Sequence, residues 1–311
     1  MGRLDGRVAV VTGASRGIGK AIATMFAAEG AGVAVVARTE SQWDPRMPGT
    51  VHDTVHEIEA GGGRAVAVPA DLAHPEDVET VIERATAALG PVDILVNNAA
   101  LTIPGRPPAA GSGGSGGSAG TASSGPASSR TGQAAPAPAP APAPAPGGGT
   151  RTSFLQFPLK GFRLHFEIGL FAAYRLMQLA LPGMVEAGRG GIVNISSLAG
   201  FIPGEGPYEH PGTPGPIAYG GNKAAIHHLT QSVAAEMQAY GIAVNVLSPS
   251  EPVITPGNLV AAADETNWAR PEDFAEATLR LALADPNEVN GQLLWSDDIL
   301  HPELGRRGWL R

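Results

Sequence analysis

Tyr219-Gly-Gly-Asn-Lys223, with Ser196-Ser197 upstream, combines a phenol, an ammonium and hydroxyls, a set that can move a proton when it shares one pocket. On a helix, a spacing of four puts Tyr219 and Lys223 one turn apart on one face. A cation at that distance favours the phenolate, so Tyr219 would trade a proton closer to neutral pH than a free phenol does. Taken alone, the motif also fits a helix carrying one solvated lysine. Its surroundings have to decide.

The amino end supplies the first of them. Arg7-Val-Ala-Val-Val11 predicts a short buried strand, and Lys20 to Glu29 has helical spacing with Ala21, Met25, Phe26 and Ala28 apolar. Between them lies Thr12-Gly-Ala-Ser-Arg-Gly-Ile-Gly19. Strand, glycine turn and helix form the setting in which glycines let backbone approach a pyrophosphate at a helix amino end. The spacing is Gly-x-x-x-Gly-x-Gly, not the Gly-x-Gly-x-x-Gly of the usual dinucleotide fingerprint.

These segments, with Asp71-Leu72, Asn97-Asn98-Ala99, Val193-Asn-Ile-Ser-Ser197 and Asn245-Val-Leu-Ser-Pro249, occur in one order from Leu4 to about Thr255. In that set and order the chain resembles a short-chain dehydrogenase/reductase. The resemblance implies Ser197, Tyr219 and Lys223 as catalytic residues. Ser197 would hold the substrate oxygen, Tyr219 would exchange the proton, and Lys223 would bond the nicotinamide ribose and lower the pKa of Tyr219. It also implies a coenzyme site formed by Gly13, Ser15, Arg16, Gly17, Ile18, Gly19, Arg38, Asp71, Leu72, Asn97, Ala99 and Pro249, together with Tyr219 and Lys223. Within it Asp71 is expected at the adenine, or as a cap for the turn before the next helix, and Asn97 near the ribose.

Charge predicts the coenzyme. An acid after strand two would suit the ribose 2′-OH of NAD, and an arginine suits a 2′-phosphate. The strand ends Val36-Ala37-Arg38-Thr39, and Arg16 offers a second guanidinium, which predicts NADP(H) in preference to NAD(H).

Further strands are predicted at 33–36, 65–68, 92–96, 191–195, 243–247 and 292–295. Helices are predicted at 54–60, 76–89, 218–240 and 272–284. The alternation predicts an α/β fold, a Rossmann-like doubly wound parallel sheet flanked by helices in a single domain over 1–311. From about Thr102 to Thr152 the pattern breaks into a Gly/Ser-rich stretch (Gly111 to Ser129) and a Pro-Ala alternation (Ala134 to Pro146). Such composition cannot bury a core and reads as a disordered insertion, the Pro-Ala part extended. It carries Arg106, Arg130 and Arg151 and no acid. An inert linker is expected; a docking arm is the sharper alternative, tested by deleting Pro108 to Gly149.

The 311 residues are 43% hydrophobic with formal charge −8 and no cysteine, which excludes disulfides and thiol catalysis. No apolar run suggests a membrane span, no basic stripe suggests nucleic acid, and the first strand begins too early for a signal peptide. Cytoplasm is the expected compartment. A small carbonyl or alcohol is the expected partner, and no metal is assigned. The resemblance adds a homodimer or homotetramer built on the helices containing Leu176 and Ala225.

Two positions depart from the family pattern. Counting back through a helix expected to end at Leu181-Pro182-Gly-Met184 puts Gly169 where the family usually has an asparagine that holds the water chain behind the lysine. Gly169→Asn is therefore expected to raise kcat. Ser248-Pro249-Ser250-Glu251 replaces a Pro-Gly turn, which loosens any role for Thr255 at the nicotinamide. Between Ser197 and Tyr219, the Pro/Gly-rich loop 201–216 is expected to wall the substrate pocket, with Glu205, Tyr208, Glu209 and His210 as possible contacts. The competing reading is a nucleotide-binding protein with weak or no turnover, serving as an interaction module, in which Gly169 marks decay.

Overall fold

Alternate residues of the first strand enter opposite faces of the molecule. In Val8–Thr12 (β1), Ala9 and Val11 join one buried cluster while Val8 and Val10 join the other. A strand buried on both faces has to be apolar throughout, which explains the valine run. The computed structural model describes residues 2–42, 44–101, 154–202, 204–207, 217–261 and 268–304.

In chain order β1 is followed by α1 (Gly17–Ala28), β2 (Gly32–Ala37), α2 (Val51–Ala60), β3 (Arg64–Pro69), α3 (Pro75–Leu89) and β4 (Ile94–Asn97). Then come α4 (Leu159–Phe166), a π-helical turn (Glu167–Phe171), α5 (Ala172–Ala187), β5 (Gly190–Ile195), α6 (Ile217–Met237) and β6 (Ile242–Ser248). The last elements are α7 (Pro256–Ala261), α8 (Pro271–Ala282), β7 (Leu293–Trp295) and α9 (Ser296–Leu300). The strands pair in the order β3-β2-β1-β4-β5-β6-β7, and every pair is parallel. This is the doubly wound, Rossmann-like sheet, with its switch point between β1 and β4.

The predicted strands and helices are all present, with small shifts at their ends. α2 starts three residues earlier than expected because Thr50 and Asp53 form a capping box: Thr50 Oγ1 accepts from the Asp53 N–H at 3.0 Å, and Asp53 Oδ2 accepts from the Thr50 N–H at 2.9 Å. The helix expected to end at Leu181-Pro182-Gly-Met184 runs on to Ala187. Pro182 and Gln178 lie on its exposed side, so the carbonyl freed by the missing N–H faces water. The expectation of no span-like segment is also corrected. Leu159–Ala187 is, by length and composition alone, long and apolar enough to cross a membrane. Its fully buried residues, among them Leu176, Met177 and Met184, belong to the core on one side of the sheet. The insertion at 102–152 lies outside the described residues, as do Tyr208, Glu209 and His210; Glu205 is exposed.

Candidate active site

The predicted residues lie at or just after the carboxyl ends of β1 to β6, except Gly17, Ile18 and Gly19 at the start of α1 and Tyr219 and Lys223 on α6. At the end of β1 the chain turns through Gly13, whose φ is +67°. A Cβ there would meet the Asn98 amide at 2.9 Å, and one on Gly19 would come within 2.4 Å of the Gly13 carbonyl oxygen. The turn is therefore closed to any side chain. Asn98 fastens it to β4, donating from Nδ2 to the Thr12 carbonyl at 2.8 Å, and the Asn98 and Ala99 N–H groups both donate to Thr12 Oγ1. The amino end of α1 has no side-chain cap and no acid in its first turn, which leaves its N–H groups and positive dipole for an anion. Ser15 is buried beside it, and Ile18 packs on the core.

Arg16 and Arg38 lie close enough that repulsion between them, after burial, pushes the Arg16 pKa down. Arg16 donates from Nη2 to the Gly49 carbonyl at 2.8 Å, while its Nε is buried without a partner. Arg38 faces Asp71 at 3.7 Å. Asp71 caps its own turn, Oδ1 accepting from the Ala73 N–H at 3.1 Å. Leu72 is buried in the core beneath α3, so only its backbone is available to a ligand. Pro249 is half-buried at the end of β6. The departure at Ser250 has a physical reason: its Oγ accepts from the Asp297 N–H at 3.0 Å and so holds the start of α9. Thr255 lies against Gly17, 3.3 Å from where a Cβ would stand.

On the other side of the switch point, Ser197 follows β5 and shares a hydrogen bond with the Tyr219 phenol. Lys223, one turn along α6, is buried and donates from Nζ to the Ile195 carbonyl at 2.6 Å; it stands 5.6 Å from the centre of the Tyr219 ring. Burial lowers the Lys223 pKa to about 8. For Tyr219 the motif predicts a lowered pKa, and the structure gives the reverse. Burial pushes the phenol up, and the Ser197 hydrogen bond offsets only part of this. A lysine that is itself costly to charge gives weak help to a phenolate.

Several polar contacts that motif reading did not assign join the site. Asn97 donates from Nδ2 to Asn194 Oδ1 at 2.8 Å, and Asn194 donates on to Thr230 Oγ1 at 2.9 Å, leaving Asn97 Oδ1 buried and unpartnered. His165 of α4 meets Tyr219 edge-on, ring centres 6.3 Å apart. Ser196 Oγ and His227 Nε2 lie 2.6 Å apart, and Phe201 packs on the His227 ring. Asn222 is buried against Gly169. Asn97, Asn194, Ser196 and Asn222 stand inside motifs seen in the sequence, but these contacts are not legible there, because each joins separate elements. Among the described residues no group of three His, Asp or Glu side chains could hold a metal.

A model of the short chain dehydrogenases matches residues 7–110 and 145–263. The chain belongs to this family. An uncharacterised oxidoreductase of Mycobacterium tuberculosis is 31% identical, over 93% of this chain and 84% of that one. The 7α-hydroxysteroid dehydrogenase of Escherichia coli is 29% identical, over 94% and 93%. Among solved structures, a candidate NAD(P)-dependent gluconate 5-dehydrogenase of Beutenbergia cavernae with bound NADP superposes with a TM-score of 0.68 at 29% identity, covering 96% of this chain and 98% of that one. The protein is thus an NAD(P)-dependent short-chain dehydrogenase/reductase. Its residues fit such a coenzyme. The closed glycine turn, the uncapped end of α1, the unpartnered Arg16 Nε and Asn97 Oδ1 and the buried Lys223 all border the same strand ends.

Proposed function

We propose that the enzyme moves a hydride between NADP(H) and a ketone, aldehyde or secondary alcohol, with Tyr219 as acid and base. The observation that carries this reading is the joining of Ser197, Tyr219 and Lys223 at the end of β5. The nicotinamide coenzyme supplies or accepts the hydride. Ser197 orients the substrate oxygen, and Tyr219 gives it a proton in reduction or removes one in oxidation. Lys223 holds the ribose and biases the phenol. Arg16 and Arg38, with no acid following β2 before Glu40, suit a 2′-phosphate. A homodimer or homotetramer in the cytoplasm completes the reading, and the exposed Phe171 and Tyr174 of α5 and its preceding turn support association.

The test is a set of steady-state rates over a panel of carbonyls and alcohols with NADPH and NADH, Tyr219→Phe serving as control. Tyr219→Phe is expected to lower kcat by about 10²–10⁴-fold. Nucleotide binding without turnover anywhere on the panel would sink the enzymatic reading, and a lower KM for NADH would sink the coenzyme preference.

A further inference from the structure

Gly169 lies inside the π-helical turn, where the Ala172 N–H bonds back to the Glu167 carbonyl and the helix is locally widened. The space at Gly169 is taken. A Cβ built there would stand 2.1 Å from Asn222 Nδ2 and 2.8 Å from both Cγ and Oδ1. The Asn222 carboxamide, which belongs to α6, therefore occupies the position that a side chain at 169 would need. Asn222 is 2% exposed, and its Oδ1 is buried with no protein partner. An unsatisfied buried amide oxygen is destabilising, so an amide kept there needs a donor or a task. Asn222 and Lys223 follow Tyr219 by three and four residues, which stacks both one turn away on the side of α6 that carries the phenol. A leucine or alanine at 222 would pack without the penalty.

We propose that Asn222 is a positioning residue of the proton-resupply path, its buried Oδ1 accepting from a water behind Tyr219 and Lys223. It does so from α6, where the family pattern puts an amide on the preceding helix. The inference rests on Tyr219 as the acid and base. After Tyr219 donates its proton to the substrate oxygen, the phenolate regains one from solvent through this water and the Lys223 ammonium, so no proton is lost or gained by the chain. Gly169 is what allows the exchange of places. The expectation that Gly169→Asn raises kcat is accordingly reversed, because the new side chain must displace Asn222.

Asn222→Ala is expected to lower kcat by about tenfold, with KM for the coenzyme changing less than about twofold. Gly169→Asn alone is expected to do the same. The double variant Gly169→Asn/Asn222→Ala returns an amide to the site from the other helix and is expected to recover most of the rate, whereas two independent packing defects would add. A second readout needs no substrate. Tyrosinate absorbance of the NADP⁺ complex, with Tyr219→Phe as blank, reports the Tyr219 midpoint. His165 of α4 and Lys223 face that phenol, and both stay in place in every variant. Loss of the water makes the Lys223 charge costlier, so the Tyr219 midpoint moves up in Asn222→Ala and returns in the double variant. If Asn222→Ala leaves both midpoint and kcat unchanged, or the double variant is worse than either single one, the proposal fails. If the wild type turns over nothing on the panel, the enzymatic reading fails and the titration still decides Asn222.

Discussion

Asn98 and Asn222 each lay a carboxamide where a glycine lacks a side chain, but only Asn98 has its donor spent on backbone. Its Nδ2 lies 2.9 Å from where a Cβ of Gly13 would be and 2.6 Å from that of Gly19, and it donates to the Thr12 carbonyl at 2.8 Å. At Gly169 the amide oxygen has no such partner. The first contact closes a turn, binding β4 to β1 so that the backbone can meet a phosphate. The second leaves an acceptor buried beside the proton-moving residues. The half-buried amide of Asn98, spent on a buried carbonyl, is explained by stability; a buried, unsatisfied one has to be explained by something else.

The sharpest way to break this contrast is to fill the coenzyme-side glycine. In Gly19→Ala the new Cβ would come within 2.4 Å of a backbone oxygen and 2.6 Å of Asn98 Nδ2. Backbone cannot move aside as a side-chain tip can, so overpacking of about 1–3 kcal/mol is expected, together with loss of the turn that approaches the pyrophosphate. NADPH binding, followed by its fluorescence, is expected to weaken at least about a hundredfold, which corresponds to about 2.7 kcal/mol. Wild-type affinity in Gly19→Ala would mean that the coenzyme does not use this turn.

A smaller effect compares the two asparagines directly. Asn98→Ala leaves the buried Thr12 carbonyl without its side-chain donor and is expected to lower unfolding free energy by about 1–3 kcal/mol in urea titrations. Asn222→Ala removes an unsatisfied oxygen and is expected to change stability by less than about 1 kcal/mol while slowing turnover. Equal losses of stability from both substitutions would erase the distinction between lock and acceptor.

The division also explains what could be read from the sequence. The glycine turn, the strands and the pair Tyr219 and Lys223 are local patterns, set by spacings of two, three or four residues, and all stand where those spacings put them. The occupation of Gly169 by Asn222 is a contact between two helices, and nothing near either residue announces it. The same holds for Asn194, which links Asn97 to Thr230 across a strand pair and a helix. The lowered pKa expected for Tyr219 missed because the spacing supplies the charge of Lys223 and says nothing of how deeply both groups are buried.

A third pair of buried polar groups, Ser196 and His227, tests whether satisfaction or charge decides the behaviour of this half of the molecule. His227 is bonded to Ser196, as Asn98 is to Thr12, yet it is titratable. Burial, and after it the charge of Lys223, lower its pKa from 6.5 to about 4. Above pH 6.5 the imidazole is neutral in both folded and unfolded chains. As the pH falls from there toward 4, the unfolded chain takes up a proton that the folded chain refuses, so stability declines through that window. The full shift corresponds to at most about 3 kcal/mol. His227→Gln keeps a polar group toward Ser196 Oγ and removes the titration. Urea unfolding near neutral pH and at about pH 4.5 is expected to show a smaller acid loss in His227→Gln than in the wild type. Carboxylates such as Glu276, lowered to about 2 by Arg3 and Arg280, titrate alike in both proteins and cancel in the difference. Parallel acid losses in the two proteins would mean that His227 accepts its proton inside the fold, and that burial and the charge of Lys223 do not keep it neutral.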